Sequence, residues 1–255
     1  MAKHYKWLVL ALIILFSLEI FAQRGIKDSS IFIPSISFNY AYQLPIGGNI
    51  EYSYGGANAV GGDAMFKLKN SFMLGLGFEY FFSDNINNGE QYFKDIKNSN
   101  GYVIDGNGQF TEAYLYFRGY NIQLLTGYQF AFWSPNPNSG PFVQLGVGFM
   151  EYKTKIENPG RTANQLIDDY VKMYDRLRNG FSTTQVLGYK LMSKRNLTNF
   201  FIGIEFTQAW TDNRRSYNAD LDASQMGKKL DLQIGIKVGW VIPFYGRAPK
   251  DFYYY

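Results

Sequence analysis

The chain has no cysteine and a single histidine in 255 residues, and these shortages exclude several kinds of chemistry. Without cysteine there is no disulfide, no zinc–thiolate site and no thiol nucleophile. The single histidine is His4, which lies in a predicted signal peptide, so the exported protein has none. Histidine-activated nucleophiles and histidine metal ligands are therefore excluded. We expect a non-enzymatic protein with no metal and no cofactor.

Long uninterrupted apolar runs are scarce as well. One run, Trp7–Phe16, follows Lys3 and Lys6 and precedes Ala22, which gives the three regions of a secretory signal peptide at residues 1–22. A transmembrane anchor is the alternative, but the run is shorter than the roughly 20 residues that a spanning helix needs. We expect cleavage after Ala22, followed by an N-terminal periplasmic segment at 23–31. No cysteine follows the run, which excludes a lipoprotein anchor.

Charged residues are few, at 18% of the chain, and aromatic residues are equally frequent. Removing residues 1–22 takes away Lys3, Lys6 and Glu19, which lowers the formal net charge from +4 to +3. This charge is too small to predict nucleic-acid binding. The mean hydropathy of −0.22 argues against a helical membrane protein. It does not argue against a barrel, in which every second residue faces the lumen.

Large apolar residues occupy every second position near the C-terminus, from Leu230 to Phe244. Alternate side chains of a strand lie on opposite faces, so this segment has one apolar face and one polar or small face. Seven further segments share the pattern. The predicted strands are 32–44, 57–66, 71–82, 118–132, 142–152, 181–192, 199–210 and 230–244. Behind an export signal, this pattern predicts an all-β fold: an eight-stranded antiparallel transmembrane β-barrel over residues 32–244.

The connections between these strands alternate in length. The short ones, at 67–70, 133–141 and 193–198, have turn-forming compositions, and the others are longer. A soluble β-sandwich is the alternative, but it has no reason to alternate in this way. In an outer-membrane barrel the short turns face the periplasm and the long loops face the exterior. We therefore predict an outer aromatic girdle at Tyr42 and Trp210. The predicted inner girdle contains Phe132, Trp133, Trp240 and Phe244.

Charges of both signs are predicted to face the lumen. The predicted lumen network consists of Glu79, Lys190, Glu205, Asp231 and Lys237. An unpaired buried charge is costly, so we expect these groups to pair, with Glu205 and Lys237 in contact from adjacent strands. The favoured interpretation is a plug of ion pairs in a narrow lumen; an ion-conducting path and a ligand cavity between inward glycines are alternatives. Glu79 and Glu205 are also the one carboxylate pair on which a catalytic site could be built, although pairing with Lys190 or Lys237 is the favoured role.

The long loops contain two features with a predicted structure. Residues 164–178 have apolar side chains at three- and four-residue spacing, which predicts a short amphipathic helix that either covers the barrel rim or binds a partner. Its predicted apolar face is Leu166, Tyr170, Met173, Tyr174 and Leu177. Residues 100–108 predict a small hairpin with tight turns. The cations of the last loop either meet anionic lipid headgroups or are merely solvated; they are Arg214, Arg215, Lys228 and Lys229.

A tail at 245–255 follows the last predicted strand and ends in four consecutive aromatic residues. Such residues are stabilised only if they pack against something. We therefore expect the tail either to pack against the barrel's own inner rim or the headgroups, or to dock on a periplasmic or membrane partner. The candidate docking residues are Arg247, Pro249, Lys250, Asp251, Phe252, Tyr253, Tyr254 and Tyr255.

Four sequence segments are informative together: the signal ending Phe21-Ala-Gln23, the turn at 134–140, the run Asp212–Tyr217 and the terminus Arg247–Tyr255. In combination they resemble a poorly characterised family of small outer-membrane β-barrels from Bacteroidota. The resemblance covers the whole exported chain. It implies outer-membrane localisation and a role as an accessory subunit of an envelope machine such as barrel assembly or type IX secretion. It transfers no catalytic or ligand-binding residue.

Two functions therefore remain open besides catalysis. The preferred one is a structural or interaction subunit of an envelope complex, with outer-membrane lipid and other proteins as its partners. The alternative is a small outer-membrane transporter or a hydrophobic-ligand-binding barrel that uses the glycine-lined lumen.

Overall fold

A computed structural model describes residues 29–98, 100–193, 198–221 and 226–244. It contains ten strands, of which eight form a closed barrel and two form a small hairpin. The barrel strands are β1 (Ile33–Gly47), β2 (Ala57–Lys67), β3 (Phe72–Ser83), β6 (Tyr114–Gln129), β7 (Gly140–Glu157), β8 (Arg178–Leu191), β9 (Phe200–Asn213) and β10 (Lys229–Pro243). The hairpin strands are β4 (Val103–Ile104) and β5 (Phe110–Thr111). The predicted signal peptide and C-terminal tail lie outside the described residues.

Each barrel strand pairs antiparallel with its neighbours, and the first strand closes the barrel against the last. The β1–β10 pairing runs from Ser35↔Pro243 to Gly47↔Leu232, with a bulge between Pro45 and Gly47. Full closure leaves no sheet edge with unpaired backbone groups. The predicted eight-stranded antiparallel barrel is confirmed.

The prediction was least accurate at the ends of the β6–β7 hairpin. Both strands extend further towards the long loops, where Tyr114 pairs with Glu157. The outward residues there include Arg118, Lys153 and Lys155, so the apolar alternation stops although the backbone pairing continues. At the other end, β6 stops at Gln129 rather than at residue 132, and the turn follows.

The outer surface of the barrel is apolar. Outward side chains such as Leu74, Leu124 and Ile236 are 60%, 61% and 61% exposed, and they belong to a band that includes outward residues of all eight strands. A soluble monomer rarely exposes a continuous apolar surface of this extent. A closed barrel whose backbone groups are paired, and whose outer face is apolar, meets the requirements for spanning a bilayer. The protein is a membrane barrel.

The interior is filled in layers. One apolar cluster, which includes Met73, Phe142 and Phe201, occupies the end with the short turns. A second, which includes Phe81, Phe117 and Tyr152, occupies the end with the long loops. Between them lies a polar layer that includes Glu79, Gln123 and Glu205. A third cluster lies among the loops and contains Tyr92, Phe93, Val103, Ala163, Leu166 and Tyr174.

The long loops fold over one end of the barrel. The first contains α1 (Gly48–Ser53), which the sequence analysis had treated as part of a loop. The second contains a 3₁₀ turn at Gly89–Phe93 and the predicted hairpin, whose strands β4 and β5 pair at Val103↔Thr111. Within the described parts of the chain, no helix is long and apolar enough to cross a membrane.

The predicted amphipathic helix at 164–178 is wrong. The segment forms two separate 3₁₀ turns, Asn164–Leu166 and Tyr170–Met173. Ile167 is extended and Asp168 has a φ of +51°, so the backbone cannot continue as a helix between the turns.

The predicted apolar face of this segment is consequently divided. Leu166 and Tyr174 are buried in the loop cluster, and Met173 packs against that cluster. Leu177 is half-buried, and Tyr170 is 61% exposed.

Candidate functional site in the barrel lumen

The centre of the lumen contains a cation held between two carboxylates. Lys237 of β10 donates to Glu79 of β3, and it also donates to Oε2 of Glu205 on the adjacent strand β9 at 3.0 Å. Gln43 Nε2 donates to the other oxygen of Glu205 at 2.6 Å. All four side chains are buried. The predicted contact between Glu205 and Lys237 is present, and Lys237 also reaches across the lumen to Glu79.

Small residues on the inner face make room for these long side chains. A Cβ atom added to Gly61 would lie 2.2 Å from the carbonyl oxygen of Phe78 and 3.0 Å from Cγ of Glu79. A Cβ atom at Gly146 would lie 2.1 Å from Oε1 of Gln123. These distances are too short for a Cβ atom, so a larger residue at either position would displace the neighbouring atoms. The inward glycines therefore accommodate neighbouring side chains rather than lining open space.

Lys190, another predicted member of the network, does not join it. Its Nζ lies 3.6 Å from Sδ of Met73 and 5.3 Å from the ring centroid of Phe142, towards the short turns. Glu205 is opposite Val186 in the β8–β9 register, and Lys190 lies four residues further along β8. That separation corresponds to about 13 Å of strand, so the predicted pairing of Lys190 with the glutamates is wrong.

The free space in this part of the lumen is a small cavity beside Lys190. Its lining includes Asp63, Gln144 and Phe201, and its volume is about 10 Å³. A volume of that size is about the minimum that admits one water molecule. Asp63 accepts hydrogen bonds from Ser37 at 3.2 Å and from Asn39 at 3.1 Å.

Asp231, the fifth predicted member, fixes a lid at the long-loop end instead. Its Oδ1 accepts the backbone N–H groups of Asn49 (2.7 Å) and Ile50 (3.1 Å) at the start of α1. Its Oδ2 accepts the hydroxyl groups of Tyr152 (2.7 Å) and Thr211 (2.5 Å). A carboxylate at a helix start satisfies amides that have no partner within the helix. Asp231 thus ties α1 to the inside of β7, β9 and β10, and the prediction that it belongs to the central network is wrong.

The turn into α1 requires glycine. Gly48 has a φ of +85°, and a Cβ atom there would lie 2.3 Å from the carbonyl oxygen of Leu230. No other residue type fits so close an approach in this left-handed conformation. The short helix is therefore pressed against β10, where it closes the lumen.

Above α1, a fully buried ion pair and its contacts join the four long loops. Arg176 donates from Nε at 2.9 Å and from Nη2 at 2.5 Å to Oδ2 of Asp220, and its Nη1 donates to Ser53 Oγ at 3.3 Å. Its guanidinium group stacks 3.6 Å from the ring centroid of Tyr92. The hydroxyl groups of Tyr92 and Tyr54 are both hydrogen-bonded to the hydroxyl of Thr154, at 2.7 Å and 2.8 Å.

The side chains around Arg176 form a buried cap over the barrel, and burial changes the pKa values of two of them. It raises the pKa of Tyr92 to about 12, although the nearby Arg176 opposes the shift. It also raises the pKa of Asp220 above its ordinary value, again against the effect of Arg176. Arg176, Asp220 and Tyr92 could not be identified from the sequence, because isolated polar residues in a predicted loop carry no signal of burial.

The opposite mouth is closed by the chain that precedes β1. Lys67 Nζ donates to Ser30 Oγ at 2.8 Å and to Asn138 Oδ1 at 3.0 Å. Asn138, in the β6–β7 turn, also accepts the backbone N–H of Ile31 at 3.1 Å. Residues 29–31, which belong to the predicted N-terminal periplasmic segment, therefore lie in the mouth of the barrel.

Acidic residues such as those of the lumen can serve as ligands for a metal ion. Within the described part of the chain, no group of three or more His, Cys, Asp or Glu residues is placed to hold a metal ion. The carboxylates of Glu79 and Glu205 are both engaged by Lys237, so the pair forms part of a structural plug.

No family model matches the sequence, and no curated protein matches it. The structure is similar to that of Ail, the attachment invasion locus protein of Yersinia pestis, with a TM-score of 0.42 and 10% identity over 83% of this chain and 99% of that chain. It is similar to Neisserial surface protein A, with a TM-score of 0.41 and 12% identity over 84% and 97% of the two chains. It is also similar to the N-terminal β-barrel domain of Pseudomonas aeruginosa OprF, with a TM-score of 0.37 and 12% identity over 82% and 97%.

Proposed function

We propose that this protein is a non-enzymatic barrel of the outer membrane that acts through its surfaces, as a structural or interaction subunit of an envelope complex. The observation that carries the proposal is the ion-paired plug of Lys237, Glu79 and Glu205, which fills the middle of the lumen. A barrel that offers no passage works at its outer wall, its loops or its termini. The Bacteroidota resemblance adds barrel assembly and type IX secretion as the candidate complexes.

The alternative function, transport or capture of a hydrophobic ligand, receives less support from the interior. Such a function needs a cavity of several hundred Å³. The cavity beside Lys190 measures about 10 Å³. The inward glycines, which made a ligand cavity plausible from the sequence, lie so close to neighbouring strands that an added Cβ atom would meet their backbone or side-chain atoms.

Affinity purification tests the proposal. The full chain, tagged within an exposed loop such as the β4–β5 turn, is extracted with detergent, and co-purifying proteins are identified by mass spectrometry. We expect the same envelope proteins in repeated preparations. A matched variant that lacks residues 246–255 identifies the contribution of the aromatic tail. If the protein emerges alone, and if deletion of the tail has no phenotype, the proposed role is wrong.

A further inference from the structure

A groove with both apolar and cationic walls lies on the outer surface where β8, β9 and β10 meet the long loops. It has a volume of about 530 Å³. Its lining residues are Asn179, Gly180, Phe181, Trp210, Asp212, Arg214, Lys228, Lys229 and Leu230. The groove is separate from the lumen, because its apolar residues belong to the outward face of the barrel.

The apolar part of the groove is a row of three outward side chains. In the strand register Phe181 is opposite Trp210, and Trp210 is opposite Leu230. The two rings are 5.8 Å apart, and all three side chains are exposed. Aromatic side chains in this position mark the boundary between hydrocarbon and headgroups in membrane barrels. The row therefore offers a surface for the upper part of an acyl chain.

The cationic part lies directly beyond this row. Arg214 is held in place because its backbone N–H bonds to the carbonyl of Leu177 at 2.9 Å and its Nε donates to Asn179 Oδ1. Asn179 is itself fixed, since its Nδ2 donates to Glu151 at 2.9 Å. Because Nε is engaged by Asn179, the two terminal amino groups of Arg214 are the groups that can donate to one phosphate.

Two lysines add to this positive charge. Lys228 and Lys229 line the same groove, and neither they nor Arg214 form an ion pair with another described residue. Asp212 is the one acidic residue of the lining, so cations exceed carboxylates there by three to one. Arg215, which the sequence analysis grouped with these cations, is instead paired with Asp175 inside the loops.

Polar side chains on the membrane side of the aromatic row provide an independent observation. Thr183 and Gln208 are opposite each other in the β8–β9 register. Each lies two residues along its strand from Phe181 or Trp210, which is about 7 Å further from the long loops. Their side chains make no hydrogen bond with another described residue, although polar groups facing hydrocarbon are costly without a partner. The ester carbonyls of a lipid lie just below its phosphate, at the depth where these side chains have donors to offer.

We propose that the groove binds a phosphate-bearing lipid of the leaflet on the long-loop side. Arg214, Lys228 and Lys229 bind the phosphate, the Phe181–Trp210–Leu230 row contacts the acyl chain, and Thr183 and Gln208 donate to its ester carbonyls. The proposal depends on the placement of the barrel in a membrane. It does not depend on membership of an envelope complex.

Native mass spectrometry of the full chain, released from detergent micelles, tests the proposal. The probes are dipalmitoyl phosphatidic acid, dipalmitoylglycerol (which lacks the phosphate) and inorganic phosphate. We expect a lipid adduct with phosphatidic acid only. The triple variant Arg214→Gln/Lys228→Gln/Lys229→Gln should weaken this adduct about 10-fold, because it removes the charge-assisted contacts to the phosphate.

A matched triple variant controls for net charge. Lys155→Gln/Arg161→Gln/Lys172→Gln removes the same residue types from exposed sites outside the groove and should leave the affinity within about 2-fold, since its charges are solvated and screened. Gln208→Leu should also weaken the adduct, and it cannot act through misfolding, because an apolar side chain suits the outer face of a membrane barrel.

Three results would overturn the proposal. If dipalmitoylglycerol binds as tightly as phosphatidic acid, the phosphate has no role in binding. If inorganic phosphate binds as tightly as phosphatidic acid, the groove is an anion site rather than a lipid site. An equal loss in the two triple variants indicates an effect of net charge alone. Heat-modifiable migration on electrophoresis verifies that every variant is folded.

Discussion

Lys237 on the last strand forms an ion pair with Glu79 on the third strand and so joins opposite walls of the barrel across its lumen. Two strands, β1 and β2, separate β10 from β3 in the sheet. Because Lys237 also pairs with Glu205, one ammonium group serves as the counter-charge of two buried carboxylates. Removal of the shared cation would leave both carboxylates buried without a counter-charge.

Replacing Lys237 with methionine should therefore destabilise the barrel by about 3–5 kcal/mol, because two buried carboxylates lose their cation. Urea unfolding of the refolded protein in lipid vesicles measures the effect. Adding Glu79→Gln and Glu205→Gln to the same chain should recover most of the loss. As a control, Lys172→Met breaks an exposed pair with Asp169 and should leave the stability nearly unchanged, because solvent screens that pair. A Lys237→Met variant as stable as the wild type would contradict the plug.

Removing the carboxylate of Asp231 should release α1. The amides of Asn49 and Ile50 lose their acceptor in Asp231→Ala, and we expect their protection to fall by about 1–3 kcal/mol. Hydrogen exchange measures this locally, and the barrel strands should keep their protection. Asp105→Ala is a matched control, because Asp105 accepts two backbone N–H groups in the exposed β4–β5 turn. Unchanged exchange in residues 48–53 would show that α1 is held by other contacts.

The buried pair of Arg176 and Asp220 should decide whether the loops stay closed. In Asp220→Asn the guanidinium group stays buried without a counter-charge, which costs about 3–5 kcal/mol. We expect rapid cleavage of the loops by added protease, while the barrel itself resists. Asp169→Asn alters an exposed pair in the same loop region and should leave the cleavage rate unchanged. Equal resistance of Asp220→Asn and the wild type would exclude a stabilising role for the pair.

The cap should also open at alkaline pH. The pKa of Tyr92 is about 12 in the folded protein, against about 10 for an unfolded tyrosine. Between these values the unfolded state has released the proton and the folded state has kept it, so stability falls as pH rises. A shift of this size corresponds to about 2–3 kcal/mol, fully present below pH 10 and lost by about pH 12.

Protease sensitivity of the loops across this pH window measures the effect. The Tyr92→Phe variant has no ionisable group at this position, so its cleavage should rise less steeply with pH than that of the wild type. Parallel curves for the two proteins would assign the alkaline opening to other groups, such as Tyr54, whose pKa burial also raises.

The sequence predicted the barrel well, because the bilayer forces a simple rule on the outer face of every strand. That rule identified all eight strands and separated Glu79, Glu205 and Lys237 from the outward residues. The alternation could not predict the position of inward residues along the barrel axis, because that position depends on the register and the tilt of the strands. Lys190 and Asp231 were therefore grouped with a cluster from which the structure separates them.

The loops were less predictable, because no periodic surface constrains them. The spacing of Leu166, Tyr170 and Tyr174 indicated a helix, but the left-handed conformation of Asp168 interrupts it. The burial of Arg176 arises from contacts with three other loops, and local sequence does not contain that information. The resemblance to a Bacteroidota family and the docking role of the tail stay predictions.

Ion flux into liposomes that contain the refolded protein tests the central claim most directly. Heat-modifiable migration verifies that the barrel is folded and inserted before the flux is measured. We predict the same flux as in protein-free liposomes, because the Lys237 plug fills the lumen and the lids close both mouths. A flux that rises in proportion to the amount of inserted protein would contradict a sealed barrel that acts through its surfaces.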